Sequence, residues 1–134
     1  MANTHMGQPP KNHVTLESVG AGQGLDFVRI NPDGTPADED FRPPSGKVLV
    51  VTDVDWQYNA GPPESRQTFR IFINDDRTVF ESTVILNHQG SGGASEAMTS
   101  GFVVSSGIRI TIDVSPGGGV INHAIVRGYL CRES

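Results

Sequence analysis

Four histidines, at positions 5, 13, 88 and 123, are the side chains in this 134-residue sequence best suited to move a proton or hold a metal near neutral pH. None has another histidine, a cysteine or a carboxylate at metal-ligand spacing within its own segment, and the His-x-His pair with a following glutamate used by small β-barrel metalloenzymes is absent. Asp53 and Asp55 fall on one face of an extended segment about 7 Å apart, a separation compatible with paired-carboxylate glycoside chemistry. The simpler reading, and the one preferred, is that they are the wet half of a strand. The acidic run Asp38, Glu39 and Asp40 offers oxygens, but without the alternating ligands and twelfth-position glutamate of a helix-loop-helix calcium site, so it reads as a solvated loop. Gly20, Gly22 and Gly24 resemble a phosphate loop only in spacing. Position 25 is leucine, no helix-forming segment follows and no lysine lies near, which leaves a flexible connection between strands. No Gly-x-Ser-x-Gly elbow occurs. The expectation is a chain with no catalytic residue, no metal and no cofactor.

Binding chemistry has one aromatic candidate. Trp56 and Tyr58 share a face with Val48, Val50 and Val54 in residues 47–58, KVLVVTDVDWQY, which reads first as core packing. If exposed, with Tyr58 beside the proline-rich loop the more accessible, they would form a platform on which a sugar ring stacks, and the alternative function is then a carbohydrate-binding, lectin-like module. Fifteen acidic against ten basic residues give a net charge of -5 with only two lysines, Lys11 and Lys47, which argues against a surface that tracks nucleic-acid backbone. No run of 18 apolar residues exists, so no membrane span is expected. Cys131, the single cysteine, has no internal disulfide partner. The first dozen residues lack an apolar signal core. His5-Met6 matches a cloning-site junction, so residues 1–5 read as a cloning remnant, and an extracellular or virion-surface location is expected if a leader was removed or the source is a phage.

The elements that would carry these side chains are strands. Sixteen glycines and nine prolines with a charged fraction of 19% describe many short segments joined by turns. Residues 47–58 alternate with period two, Leu49 and Val51 interrupting the polar face, so the first half of that strand is expected to be covered on both sides. Residues 1–12 read as an extended arm. Strands are expected over 13–19 and 25–30, then a turn at 31–36 and the acidic loop at 37–40. The clearest hairpin pairs 67–74 with 78–87. A glycine-rich loop follows at 88–95, then segments 96–104, 108–114 with a wet outer face, and 120–132. About eight strands at intervals of roughly ten residues, with no helical period, predict an all-β fold: an antiparallel β-sandwich, as a jelly roll, in one domain over 13–134.

The last segment, VINHAIVRGYLCR, is apolar on both sides. Val120, Ala124, Val126 and Leu130 fall on one face, with Ile121, Ile125, Tyr129 and Cys131 on the other, and a single sandwich buries one face of a strand. Phe72 makes the same demand in residues 67–74. These five, Phe72, Ile121, Ile125, Tyr129 and Cys131, are the candidate interface through which the chain meets copies of itself.

Phe102-Val103-Val104-x-x-Gly107-Ile108-x-Ile110 and the closing Val126-Arg127-Gly128-Tyr129-Leu130 resemble the compact jelly rolls of the tumour necrosis factor and complement globular-head superfamily, over residues 44–131. Pro44-Ser45-Gly46-Lys47 is similar to the strand opening of small β-sandwich domains on phage particles and bacterial surfaces. The resemblance implies a non-enzymatic, mostly trimeric domain, and carries over no binding residues. The resulting expectation is a self-associating structural or interaction module of a surface, particle-decoration or tail type. Its partner is a second copy of itself, with a larger assembly or a surface glycan beyond that.

Overall fold

The computed structural model describes residues 10–18, 25–74 and 76–133. Among these residues a 3-10 turn, Pro10–Asn12, leads into nine strands: β1 His13–Ser18, β2 Leu25–Ile30, β3 Pro36–Asp40, β4 Lys47–Asn59, β5 Arg66–Ile73, β6 Arg77–Ile85, β7 Gly92–Val104, β8 Ile110–Ser115 and β9 Val120–Arg132. All pairings are antiparallel. Eight strands follow the order β6-β5-β8-β2-β1-β9-β4-β7, with β3 attached to β2. The path divides into two four-stranded layers, β6-β5-β8-β2 and β1-β9-β4-β7, hinged where β2 pairs with β1, which is the jelly-roll arrangement. Of the extended arm expected over 1–12, residues 10–12 form the 3-10 turn instead, while residues 1–9, like the glycine triplet at 20, 22 and 24, lie outside the described residues.

The two layers close on aromatic rings. Trp56 of β4 stacks on Phe69 of β5 at 4.9 Å between ring centroids, Phe69 meets Phe80 edge-on at 6.3 Å, and Phe80 faces Phe102 of β7 at 6.5 Å across the seam between the two edge strands. Around them Leu16, Phe27, Leu49, Val51, Val54, Ile71, Leu86, Ile110, Ile112, Val114, Ala124 and Val126 are buried.

Two bulges decide which side chains join that core. Along β4 the pairing with β9 runs Val51 to Gly128 and then Asp53 to Arg127, so Thr52 is the extra residue. One extra residue reverses the alternation. Leu49 and Val51 therefore face the core ahead of the bulge, and Val54, Trp56 and Tyr58 face it beyond, while Val48 and Val50 turn outward. The expected single face of Val48, Val50, Val54, Trp56 and Tyr58 is corrected accordingly. A second bulge, at Asn122, falls where Gln57 pairs with His123 and Tyr58 with Ile121. It puts Ile121 in the core at 3% exposure and leaves Val120 at 41%, so Ile121 is an interior residue rather than part of an outer face.

Three further expectations are corrected. The acidic loop at 37–40 belongs to β3, paired with β2 through Val28 with Asp40 and Ile30 with Pro36. The loop expected over 88–95 ends at Ser91, because Gly92 and Gly93 already pair with Tyr58 and Gln57. A Cβ on Gly93 would sit 2.2 Å from the Trp56 carbonyl, so only a glycine allows that close pairing. The outer face of β8 is not uniformly wet either. Thr111 is buried between Phe72 of β5 and Asp26 of β2, its lateral partners.

Candidate functional site

The outer face of the β1-β9-β4-β7 layer carries a group of apolar side chains that lie outside the core. Antiparallel register sets them in rows. Cys131 lies beside Val48, and Tyr129 lies beside Val50, which pairs in turn with Val103 of the edge strand. Val48, Val50, Tyr129 and Cys131 are half-buried, while Val103 is 52% exposed. Ile125, half-buried, sits further along between Glu17 of β1 and Asp55 of β4. Between the apolar end and Ile125 runs a polar row in which Arg127 lies between Thr15 and Asp53.

The charges on this face are locally arranged. The His123 Nε2 atom stands 3.7 Å from Asp55 Oδ1, an ion pair when the imidazole is protonated. Asp53 accepts a hydrogen bond from the Thr52 hydroxyl at 3.0 Å, so the bulge residue anchors the carboxylate next to it. Asp53 and Asp55 remain on one face, as expected from their spacing. His123 is brought to Asp55, and His13 lines a shallow concavity with Asp53. Among the described residues no three of His, Cys, Asp and Glu converge in a way that could hold a metal ion, and no helix is long and apolar enough to cross a membrane.

Ile125, Tyr129 and Cys131 thus share one outer face, joined by Val48, Val50 and Val103, which sequence reasoning did not single out because the Thr52 bulge hides their orientation. Phe72 is on the outer face of the opposite layer, beside Thr78 and Thr111, and does not meet them. That second outer face carries polar pairs and, at the end of β6, Ile85, which is 69% exposed. Arg70 Nε donates to Glu81 at 2.6 Å and its Nη1 to Ser115 Oγ at 2.6 Å, and Arg109 lies 3.4 Å from Asp26. Asp26 Oδ1 and Asp40 Oδ2 are buried atoms without a well-formed hydrogen bond among the described residues, each held instead by an ion pair, to Arg109 and to Arg42.

The aromatic pair proposed as a sugar platform is inside the molecule. Trp56 and Tyr58 are each 1% exposed. The Trp56 indole N–H donates to Ser82 Oγ at 3.1 Å, and the Tyr58 hydroxyl accepts from the Gly119 amide at 2.7 Å. Their polar handles are spent on the fold, and no ring face is offered to a ligand.

A different concavity lies at the end of the sandwich, where the start of β1 meets the end of β2 and the turn after it. Lys11, His13, Thr15, Arg29, Ile30, Asn31, Pro32 and Gly34 enclose about 640 Å³ there. The turn is held by Asp33, which accepts hydrogen bonds from the Thr35 amide at 3.0 Å and hydroxyl at 2.7 Å. These bonds stabilise the ionised carboxylate and lower the Asp33 pKa below its ordinary 3.8, the side-chain bond contributing most.

No protein-family model and no curated protein sequence matches this chain. Among solved structures, the globular domain of a zebrafish complement 1qA protein is similar in fold, with a TM-score of 0.43 and 16% sequence identity over 91% of this chain and 99% of that one.

Proposed function

We propose that this protein is a non-enzymatic interaction module that assembles with copies of itself, as a closed trimer, through the outer face of the β1-β9-β4-β7 layer. The observation that carries the reading is the lateral run Cys131, Val48, Tyr129, Val50 and Val103, five apolar side chains on three adjacent strands outside the core. Such a run on a sheet face is stabilised by covering it, at about 25 cal/mol per Å² of apolar surface removed from water. A face covered by its own copies closes through cyclic symmetry. The sequence resemblance to the tumour necrosis factor and complement globular-head jelly rolls favours three copies over two. The role that suits such a module is a surface, particle-decorating or tail component whose free loops remain outside the ring.

Light scattering on the purified chain at micromolar concentration tests this directly. The expected mass is three times the 14.3 kDa of one chain. Tyr129→Glu and Ile125→Glu should each yield a folded monomer by circular dichroism, whereas Phe72→Glu, on the opposite layer, should leave the assembly intact. A monomeric wild-type protein sinks the proposal.

A further inference from the structure

The cleft at the end of the sandwich has an unusual charge for this chain. Among the described residues that line it there is no carboxylate, while it gathers Lys11, His13 and Arg29. The protein carries 15 acidic residues against 10 basic and has only two lysines, one of which is here. The nearest acid in the sequence, Asp33, is turned onto Thr35 and does not line the cleft.

Arg29 is also held in place. Its Nη2 donates to the carbonyl of Lys11 at 3.1 Å and to that of His13 at 3.0 Å, so the guanidinium is locked against the start of β1. Among the described residues its remaining N–H groups meet no acceptor, nor does the Lys11 ammonium. A guanidinium carries five N–H donors in a rigid fork, and one fixed in advance binds an oxyanion with little further ordering. The register that sets Leu16 opposite Arg29 brings residues 30–32 beside the start of β1, and so places Lys11, in the 3-10 turn just ahead of β1, at one mouth with Arg29 of β2.

The rest of the lining selects what the anion is attached to. Ile30 and Pro32 give an apolar wall, and Gly34, at φ +90° with open space where a Cβ would be, keeps the mouth wide. The Thr15 hydroxyl can donate or accept. Asn31 donates its amide nitrogen to Thr35 Oγ1 at 3.2 Å, which directs its carbonyl oxygen to serve as an acceptor. Apolar contact for C–H faces, an acceptor and a hydroxyl for O–H groups, and cations for one negative group describe a sugar with an acidic substituent. The volume lies within the range that encloses small ligands.

We propose that this cleft binds a monosaccharide unit bearing an oxyanion, carboxylate or sulfate, with Arg29 and Lys11 holding the charged group and Ile30 and Pro32 facing the ring. It is a site separate from the self-association face and independent of the buried Trp56 and Tyr58.

The full chain, in the oligomer it forms, is titrated with glucuronic acid and with N-acetylglucosamine 6-sulfate while amide shifts are followed by NMR, glucose and N-acetylglucosamine serving as uncharged controls. One or both acidic sugars should shift residues 11–15 and 29–34 saturably, with a roughly millimolar Kd for so small a ligand that weakens as salt is raised. The two acidic sugars tell carboxylate from sulfate as the preferred group. Lys11→Gln, at an exposed position outside the strands, should weaken binding about tenfold, the usual effect of one charge-assisted hydrogen bond. Arg29→Lys should abolish it. Equal binding of neutral and acidic sugars, saturable shifts elsewhere only, unchanged affinity in a folded Lys11→Gln protein, or no shift at ten times that concentration would each overturn the proposal.

Discussion

Gln67→Leu tests whether one buried amide holds the turn between β8 and β9. Gln67 is wholly buried in β5, and its side chain grips Gly117 on both sides: Oε1 accepts from the Gly117 N–H at 2.8 Å, and Nε2 donates to the Gly117 carbonyl at 3.1 Å and to Ser65 Oγ at 2.9 Å. Leucine keeps similar bulk but deletes all three bonds. Ser65 is close to solvent and regains a water. Gly117 is buried, so its two backbone groups are left unpaired at about 1–3 kcal/mol each. Better burial of the leucine offsets about 1–2 kcal/mol of this. A net loss of about 3 kcal/mol follows, or a Tm about 10 °C lower for a chain of this size. Urea unfolding followed by the fluorescence of buried Trp56 reads it, with unchanged slope in denaturant. Gln67→Glu supplies a second reading. Its carboxylate cannot donate to the Gly117 carbonyl, so the folded state favours the protonated acid and raises its pKa above the unfolded value of about 4.3. The deficit against wild type is then full above the raised folded pKa, shrinks as pH falls through it, and is smallest below about 4.3. A loss under about 1 kcal/mol for leucine, or a glutamate deficit indifferent to pH, refutes the reasoning.

Tyr58→Phe should cost about 1–2 kcal/mol in the same urea assay, because the Gly119 amide loses its acceptor while the ring still fills its place in the core. Gly128→Ala should prevent folding: the added Cβ would lie 2.0 Å from the Val50 carbonyl and drive β9 from β4, which a collapse of amide dispersion in a two-dimensional NMR spectrum would show. Asp33 should titrate below 3.8 in the folded protein, and Thr35→Val should move its midpoint back up, as followed by carboxyl carbon NMR. Since its folded pKa is depressed, whatever stability it adds is present above the unfolded value and lost as pH falls through the lowered one.

The strand grammar was legible because it rests on local chemistry. Period-two alternation and clusters of Gly, Pro, Asn and Asp locate β1, β2, β4, β5, β6 and β9 within a few residues, and the hairpin of β5 and β6 is where the pattern put it. What alternation could not supply is the phase across a bulge. Nothing about Thr52 or Asn122 announces an inserted residue, since a threonine or asparagine fits a regular strand as well. The consequence was an error of face rather than of element: Val48 and Val50 inward, Ile121 outward. β3 was missed because Pro36 and three consecutive acids read as loop. As an appended strand that pairs with β2 at only two positions, it needs little β-forming composition.

Functional surfaces were harder to see, for a related reason. The residues with the most evident chemistry, Trp56 and Tyr58, are consumed by the core, their N–H and O–H groups satisfied by Ser82 and Gly119. The cationic cleft, by contrast, has no motif, because Lys11 comes beside Arg29 and Asn31 only through the antiparallel register of β1 and β2. On the proposed self-association face the same bulge that misled the alternation has a physical effect. Thr52 separates an apolar half around Tyr129 and Val50 from a charged half holding Asp53, Arg127, Asp55 and His123. Covering the apolar half stabilises any close partner, whereas covering ionised carboxylates costs several kcal/mol per ion unless each meets a cation. On the proposed assembly, a copy that slides or tilts on this face would keep much of its apolar contact but would bury these charges against unmatched groups of the other copy. Affinity in that proposed assembly would come from one end of the face and register from the other. On this reading Arg127→Ala should loosen the choice of oligomer, giving mixed masses by light scattering, where Tyr129→Glu gives only monomer.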